Sequence, residues 1–221
     1  MTTLNRQKLS VLITAGPTHE PVDAVRYLAN RSSGRLGLAL AEAAASHGHR
    51  VTLLLGPTPL VPPDTTRMAL HRFRTAAELQ GLLSEHWPSH DVLLMAAAVA
   101  DYRPVCEQRL EKIPRQGQRL MLELEATPDL LSELSAVTRP DQTVIGFALE
   151  PADRLEDLAK RKLEAKRLNA IVANPLETMD SENITAIVYL RDGRVLTPPR
   201  ALTKSAFAEW LLENMEQWGQ F

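Results

Sequence analysis

Apolar and polar positions follow two rhythms along the chain. Residues 9–15, 50–55, 91–98 and 143–149 are short, nearly unbroken apolar runs, the pattern of strands covered on both faces. Residues 68–74 form a further short strand of the same series. Between these runs the apolar residues fall at helical spacing. In 34–47, Leu36, Leu40 and Ala43/Ala44 recur on one face, and 76–87 and the charged stretch 153–168 repeat the pattern. Gly48 stops the first helix, and Gly56-Pro57 ends the second strand. The order βαβαβ predicts an α/β fold: a Rossmann-like, doubly wound, mainly parallel sheet with right-handed crossovers.

Beyond Asp101 the pattern changes. Residues 102–118 (YRPVCEQRLEKIPRQGQ) are polar, basic and broken by Pro and Gly. They read as a long loop, which in a compact domain is commonly functional. Residues 119–125 (RLMLELE) alternate like a strand with one exposed face, and Thr127-Pro128-Asp129 opens a helix. A strand is expected at 170–173. Apolar stretches 184–190 and 195–196 flank Arg191-Asp192-Gly193, a hairpin signal. An amphipathic helix over 204–218 closes the chain. There is no internal repeat and no composition break, so residues 1–221 are expected to form a single unit. In it 102–118 serves as a lid loop, and 183–197 is a C-terminal hairpin extension.

Composition narrows the functional classes. The 25 Lys and Arg against 27 Asp and Glu give a formal charge of -2, without the basic footprint of a duplex-DNA binder. The apolar fraction of 44% and charged fraction of 24% are those of a globular chain. One cysteine, Cys106, excludes an intrachain disulfide framework and any Cys-based zinc motif. The first ten residues carry no apolar signal core, and no apolar run approaches the ~20 residues of a membrane span. A soluble cytoplasmic protein with neither nucleic-acid nor membrane partners is expected. The histidines, such as His47/His49 and His86/His90, lack zinc-pair spacing with a carboxylate, so no metal ligands are assigned.

Candidate chemistry begins at the first strand. ITAGPTHEPVDAVRYLANRSSGRLG places Gly16 at the strand end and Gly34 and Gly37 at the helix start. A strand feeding a Gly-opened helix offers free N–H groups and the positive end of the dipole to an anion. Ser32 and Ser33 suit the N-cap and can also donate to a phosphate. The same residues would equally cap a helix and do nothing more. The dinucleotide fingerprint is missing, since 17 residues separate Gly16 from Gly34 and Gly56-Pro57 replaces the ribose-binding acid. A nicotinamide or flavin reductase is therefore disfavoured. The long turn instead carries Arg26, Asn30 and Arg31 toward the carboxyl edge of the sheet, where ligands of open α/β sheets bind.

GPTHEPVDAVRYLANRSSGRLG resembles the opening motif of the phosphopantothenoylcysteine synthetase family, the ligase half of the bifunctional coenzyme A biosynthesis protein (the DFP C-terminal domain). The likeness continues in order through AAAVADYRP (96–104), EKI (111–113), LELEATPDLL (122–131), VIGFALE (144–150), KRKLEAK (160–166) and NAIVANPL (169–176). The resemblance implies a stand-alone ligase domain, with no room for the flavin-dependent decarboxylase half. The implied reaction joins 4′-phosphopantothenate to cysteine. CTP or ATP activates the acid as an acyl-nucleotidylate, and Mg2+ arrives with the triphosphate. Family members are commonly homodimeric, and the hairpin residues Ile187, Val188 and Leu190 are the expected contact between subunits.

The resemblance also assigns roles. Asn30 would hold the activated intermediate, because its amide can donate and accept. Gly16, Arg31, Ser32, Ser33 and Gly34 would take the acid substrate and its phosphate. Ala97, Ala98 and Asp101 would meet the nucleotide, the small side chains giving it access to backbone. Lys112 would close over the triphosphate as a catalytic cation. Pro128, Asp129, Leu130 and Leu131 would contact nucleotide atoms from the start of a helix. Phe147 is placed either to stack on the base or to pack in the core. Lys162 and Lys166, four apart and on one helical face, would bind phosphates. One departure stands out. Where the family commonly has Lys-Ile-Lys-Lys, this chain has Lys112-Ile113-Pro114-Arg115, so a non-catalytic nucleotide-binding or assembly role is the alternative. Pro114 fixes φ and removes an N–H.

Overall fold

The computed structural model describes residues 8–62, 64–105, 111–115, 117–179, 181–215 and 218. Cys106 and the 106–110 part of the lid loop lie outside these residues. In chain order the elements are β1 (Ser10–Ala15), β2 (His19–Pro21), β3 (Tyr27–Ala29), α1 (Arg35–Ser46), β4 (Arg50–Leu55), β5 (Met68–Arg72), α2 (Ala76–His86), β6 (Val92–Met95) and β7 (Tyr102–Pro104). There follow β8 (Leu124–Ala126), α3 (Leu130–Val137), β9 (Thr143–Glu150), α4 (Leu155–Ala165), β10 (Ala170–Pro175), β11 (Asn183–Ile184), β12 (Ile187–Leu190), β13 (Val195–Leu196), β14 (Leu202–Thr203) and α5 (Lys204–Met215).

Eight strands form the central sheet in the order β13-β12-β10-β9-β6-β1-β4-β5. The six from β10 to β5 run parallel, and β12 and β13 add an antiparallel edge. The parallel part is the doubly wound order 3-2-1-4-5-6, whose strand direction of travel reverses between β1 and β6. Every residue of β1 is buried. Strand alternation sends Val11 and Ile13 into the core beneath α1 and α5, and Leu12 into the core beneath α2, α3 and α4. Trp87 anchors the second core and donates its indole N–H to the Thr138 hydroxyl at 3.2 Å. Among the described residues no helix is long and apolar enough to cross a membrane.

Four expectations change in detail. The turn after β1 contains a β2–β3 ribbon. It is tied to α2 by the buried Glu20 carboxylate, which accepts the Ala76 N–H at 2.8 Å. The short strand pairs and Pro21 in β2 gave no run long enough to announce a ribbon. The expected strand 119–125 shrinks to Leu124–Ala126, paired only with β7. Residues 120–123 stay exposed because no layer covers their alternating face. The C-terminal hairpin is β12–β13, and Ile184 belongs to a separate β11–β14 pair. Of the three hairpin residues expected at a subunit contact, Val188 and Leu190 are buried in their own chain's core where β12 lies against β10, while Ile187 is partly exposed. Lastly, Ser32 and Ser33 do not cap α1: the N-cap is Gly34 in the left-handed region, φ 75°, without a side-chain cap.

Candidate active-site cleft

The carboxyl ends of the parallel strands open into a cleft of about 720 Å³. It lies at the reversal of strand order, where β1 and β6 part and the loops leaving them diverge. Residues 95–101 form its floor. Beyond β6 their backbone is held by threonine side chains as well as by backbone pairing. Buried Thr14 accepts the Ala97 N–H at 3.0 Å, and buried Thr18 accepts the Ala100 N–H at 3.0 Å. The Ala98 N–H donates to the Gly16 carbonyl at 3.0 Å, and the Thr18 N–H donates back to the Ala98 carbonyl at 3.2 Å. These contacts continue the β1–β6 pairing past the end of both strands. Ala96, Ala97 and Ala98 therefore present small side chains and a fixed backbone to the cleft.

Asn30 stands at the end of the β2–β3 ribbon and donates its amide N–H to the Val99 carbonyl at 2.8 Å. That bond fixes the amide plane against the floor. The chain then runs through Arg31, Ser32 and Ser33 into α1. The Ser32 hydroxyl accepts the Gly34 N–H at 3.3 Å, and the Ser33 hydroxyl accepts the Arg35 N–H at 3.4 Å. The serine hydroxyls thus sit at the first amides of a 12-residue helix that has no acidic residue in its first turn. Gly34 cannot be replaced without strain. Its φ is positive, and a Cβ there would stand 3.3 Å from the Gly16 backbone.

The opposite wall is the start of α3 and one face of α4. Asp129 caps α3 by accepting the Ser132 N–H at 3.2 Å and also pairs with Lys166 at 3.0 Å. Burial alone would raise the Asp129 carboxyl. The hydrogen bonds from Lys166 and Ser132 outweigh it and hold the group below the ordinary carboxylate range. Lys162 pairs with Glu150, whose side chain is only 12% exposed at the end of β9, while Lys162 itself is 46% exposed. Each lysine thus has a carboxylate that aims it, and an ammonium has three donors. Five cationic side chains (Arg31, Arg35, Lys162, Lys166 and Lys204) and two carboxylates (Asp101 and Asp129) line the cleft. Phe147 packs on the core and also lines the cleft. Among the described residues no group of three or more His, Cys, Asp or Glu could hold a metal.

The cleft brings together Asn30, Arg31, Ser32, Ser33, Gly34, Ala97, Ala98, Asp101, Pro128, Asp129, Leu130, Leu131, Phe147, Lys162 and Lys166. It does not bring in Gly16 or Lys112. Gly16 lies beneath the floor, bonded to Ala98 and packed under Gly34. Lys112 is exposed and outside the lining; its neighbour Ile113 is bonded to the 23–26 turn. The sequence reading overlooked Asn174, Thr178 and Lys204, which close the far end. The Asn174 amide donates to the Thr178 hydroxyl at 2.8 Å. Asn174 is the next-to-last residue of β10, beside Phe147's strand, and the NAIVANPL stretch that contains it was the signal available for it.

This strand order, with its cleft at the reversal point, defines a Rossmann-like doubly wound α/β protein. The chain belongs to the DNA/pantothenate metabolism flavoprotein C-terminal domain family, whose model matches residues 6–218. It is 40% identical over 217 residues to the coenzyme A biosynthesis bifunctional protein CoaBC of Vibrio vulnificus strain YJ016, covering 95% of this chain and 52% of that protein. The chain spans about half the length of the curated relatives it matches. Among solved structures it resembles the C-terminal domain of a CoaBC protein, with a TM-score of 0.80 and 36% identity over 96% of this chain and 95% of that one. It also resembles the DNA/pantothenate metabolism flavoprotein of Streptococcus pneumoniae, with a TM-score of 0.83 and 26% identity over 96% of this chain and all of that one.

Proposed function

We propose that this chain is a phosphopantothenate–cysteine ligase of coenzyme A biosynthesis, acting in the cytoplasm with Mg-CTP or Mg-ATP as co-substrate. One observation carries the reading: a single cleft holds two separate cationic ends. One is the α1 start with Ser32, Ser33, Arg31 and Arg35; the other is the Lys162–Lys166 face of α4. The reaction needs two such ends, because both the acid substrate and the nucleotide bring phosphates. A helix start and aimed ammonium groups supply them.

The α1 start takes the phosphate of 4′-phosphopantothenate and Lys162 and Lys166 take the triphosphate. Asp101 accepts from ribose or base, and Phe147 and the Ala97–Ala98 backbone seat the base. A carboxylate oxygen of the acid attacks the α-phosphorus and pyrophosphate leaves. Asn30, anchored on Val99, holds the mixed anhydride. The cysteine amine then attacks the acyl carbon, the nucleoside monophosphate leaves with the bonding pair, and the amine proton passes to solvent. Lys112 offsets charge gathering on the phosphoryl group. The test is pyrophosphate release by the purified chain given Mg-CTP or Mg-ATP, 4′-phosphopantothenate and cysteine. Release that depends on the acid supports the ligase; none with either nucleotide rejects it.

A second reading, nucleotide binding without turnover, rests on Lys112 standing outside the cleft and on Pro114-Arg115 replacing two lysines. Calorimetric binding of nucleotide by a chain that releases no pyrophosphate would favour it. We further propose a homodimer whose contact lies on the β2–β3 and β7–β8 ribbons. Val25, Tyr27, Tyr102 and Leu124 are exposed there, more apolar side chain than a solvated ribbon needs. Sedimentation at micromolar concentration should give twice the 24.5 kDa of one chain, and Tyr27→Glu/Tyr102→Glu should give a monomer. A monomeric parent chain would overturn this.

A further inference from the structure

Asp23 is an unusual residue to find buried at the tip of a two-stranded ribbon. Its side chain has no exposed surface. Oδ1 accepts the N–H groups of Val25 and Arg26, both at 2.9 Å, which closes the turn between β2 and β3. That is ordinary turn chemistry and needs one oxygen. The second oxygen, Oδ2, reaches across the molecule and accepts the Ile113 N–H at 3.1 Å, 90 residues away in sequence. Arg26 pairs with Asp23 at 3.4 Å and donates from its other guanidinium nitrogen to the Ile113 carbonyl at 3.3 Å. Both backbone groups of Ile113 are therefore held by side chains of one four-residue turn. Burial would push the Asp23 carboxyl up, but the three backbone N–H groups and Arg26 together hold it below the usual range, so it stays an acceptor.

We propose that Asp23 is a positioning residue for Lys112, acting through the backbone of Ile113. This rests on the ligase reading above for the role of Lys112. The same turn leads through β3 directly into Asn30, so one rigid ribbon sets both the residue that holds the activated acid and the backbone that carries the lysine. The arrangement also accounts for the Lys-Ile-Pro-Arg departure. The missing N–H is that of Pro114, while the bonded N–H and C=O are those of Ile113. Pro114 moreover restricts Ile113 to extended conformations, the form in which its N–H and C=O point to the same side, so that one turn can meet the first with a carboxylate and the second with a guanidinium. Pro114 thus preorganises the segment instead of breaking it.

The test is Asp23→Asn in the full chain. An amide keeps one oxygen for the two turn N–H groups but sets an NH2 against the Ile113 N–H and the Arg26 guanidinium, so the long-range bond and the Arg26 pair on that oxygen are lost while the turn bonds stay. Exchange of the Ile113 amide, followed by NMR, should quicken by about 10- to 100-fold, the range for losing a charge-assisted hydrogen bond. With Mg-CTP and 4′-phosphopantothenate, kcat for pyrophosphate release should fall by about 10- to 100-fold with KM for the nucleotide nearly unchanged. In a Lys112→Ala background Asp23→Asn should add less than about twofold, since the two act through one group. Ile113→Pro, which removes the donor and leaves the turn intact, should reproduce the kcat loss if Asp23→Asn fails to fold. Unchanged Ile113 exchange in Asp23→Asn overturns the proposal, as does a kcat loss that persists undiminished without Lys112. Faster exchange in a chain whose parent form releases no pyrophosphate would keep the positioning and reject the ligase reading.

Discussion

Lys162→Gln is expected to lower kcat/KM for the nucleotide triphosphate by about 100- to 1,000-fold, the loss found when one preorganised donor is removed from developing phosphoryl charge. The expectation follows from how the lysine is held. Glu150 is nearly buried at the end of β9 and takes one of the three donors of Lys162. The ammonium is then aimed without being used up. Glutamine can still donate to Glu150, so the carboxylate is not stranded and the fold should persist. A control lies on the same helix. Lys160 pairs with Glu156 one turn earlier and is not part of the cleft lining. Lys160→Gln should leave kcat/KM within about twofold, because an exposed i,i+4 pair contributes only ~0.3–0.5 kcal/mol. Equal effects from the two substitutions would show that charge on α4 acts at long range and that Lys162 has no site of its own.

That contrast was only half legible in the sequence. Periodicity puts Lys162 and Lys166 on one face of a helix, but it cannot say which carboxylates meet them. Glu156, Asp157 and Glu164 are near in sequence, yet the partners of the two lysines are Glu150 and Asp129, brought from β9 and the start of α3. Long apolar strands and helices were readable because burial on two faces imposes a pattern along the chain. The β2–β3 ribbon was not, since three-residue strands around Pro21 carry no period. Gly56 illustrates a different kind of silence. The sequence shows only that a glycine stands where a dinucleotide site would carry an acid. In the fold a Cβ there would come within 2.3 Å of the Pro17 carbonyl and 2.9 Å of the Phe73 ring. The turn that carries the ribbon and Asn30 passes directly over that strand end. The acid is missing because another segment occupies its space, and residue type alone cannot report a neighbour 39 residues away.

Glycine supplies the second large effect, with a sign that depends wholly on packing. Gly37 lies in the first turn of α1, where the helix rests on the end of β1. A Cβ at 37 would stand 2.4 Å from the Ala15 Cβ, 2.9 Å from its Cα and 3.1 Å from the Thr14 carbonyl. Two of those atoms are backbone of a fully buried strand, so the helix must move. Overpacking of this kind costs about 1–3 kcal/mol and occasionally more, against a helix-propensity gain of ~1 kcal/mol for replacing Gly by Ala. With two contacts inside 3 Å the upper end applies, leaving Gly37→Ala destabilised by about 2 kcal/mol. For a chain of this length that is a fall of roughly 4–8 °C in Tm. Gly81, exposed in the middle of α2 with nothing within 4 Å of its would-be Cβ, takes the same substitution with the opposite sign. Gly81→Ala should raise Tm by roughly 2–4 °C. The displaced α1 also carries Gly34 and Arg35 away from the cleft floor, so Gly37→Ala should weaken phosphate binding at temperatures where it is still folded, while Gly81→Ala leaves it as it was. Calorimetric melts of the two variants, with 4′-phosphopantothenate titrations at 20 °C, decide the matter. A Gly37→Ala chain as stable as its parent would mean that α1 is free to slide on β1, and that the helix start is not a fixed anion site.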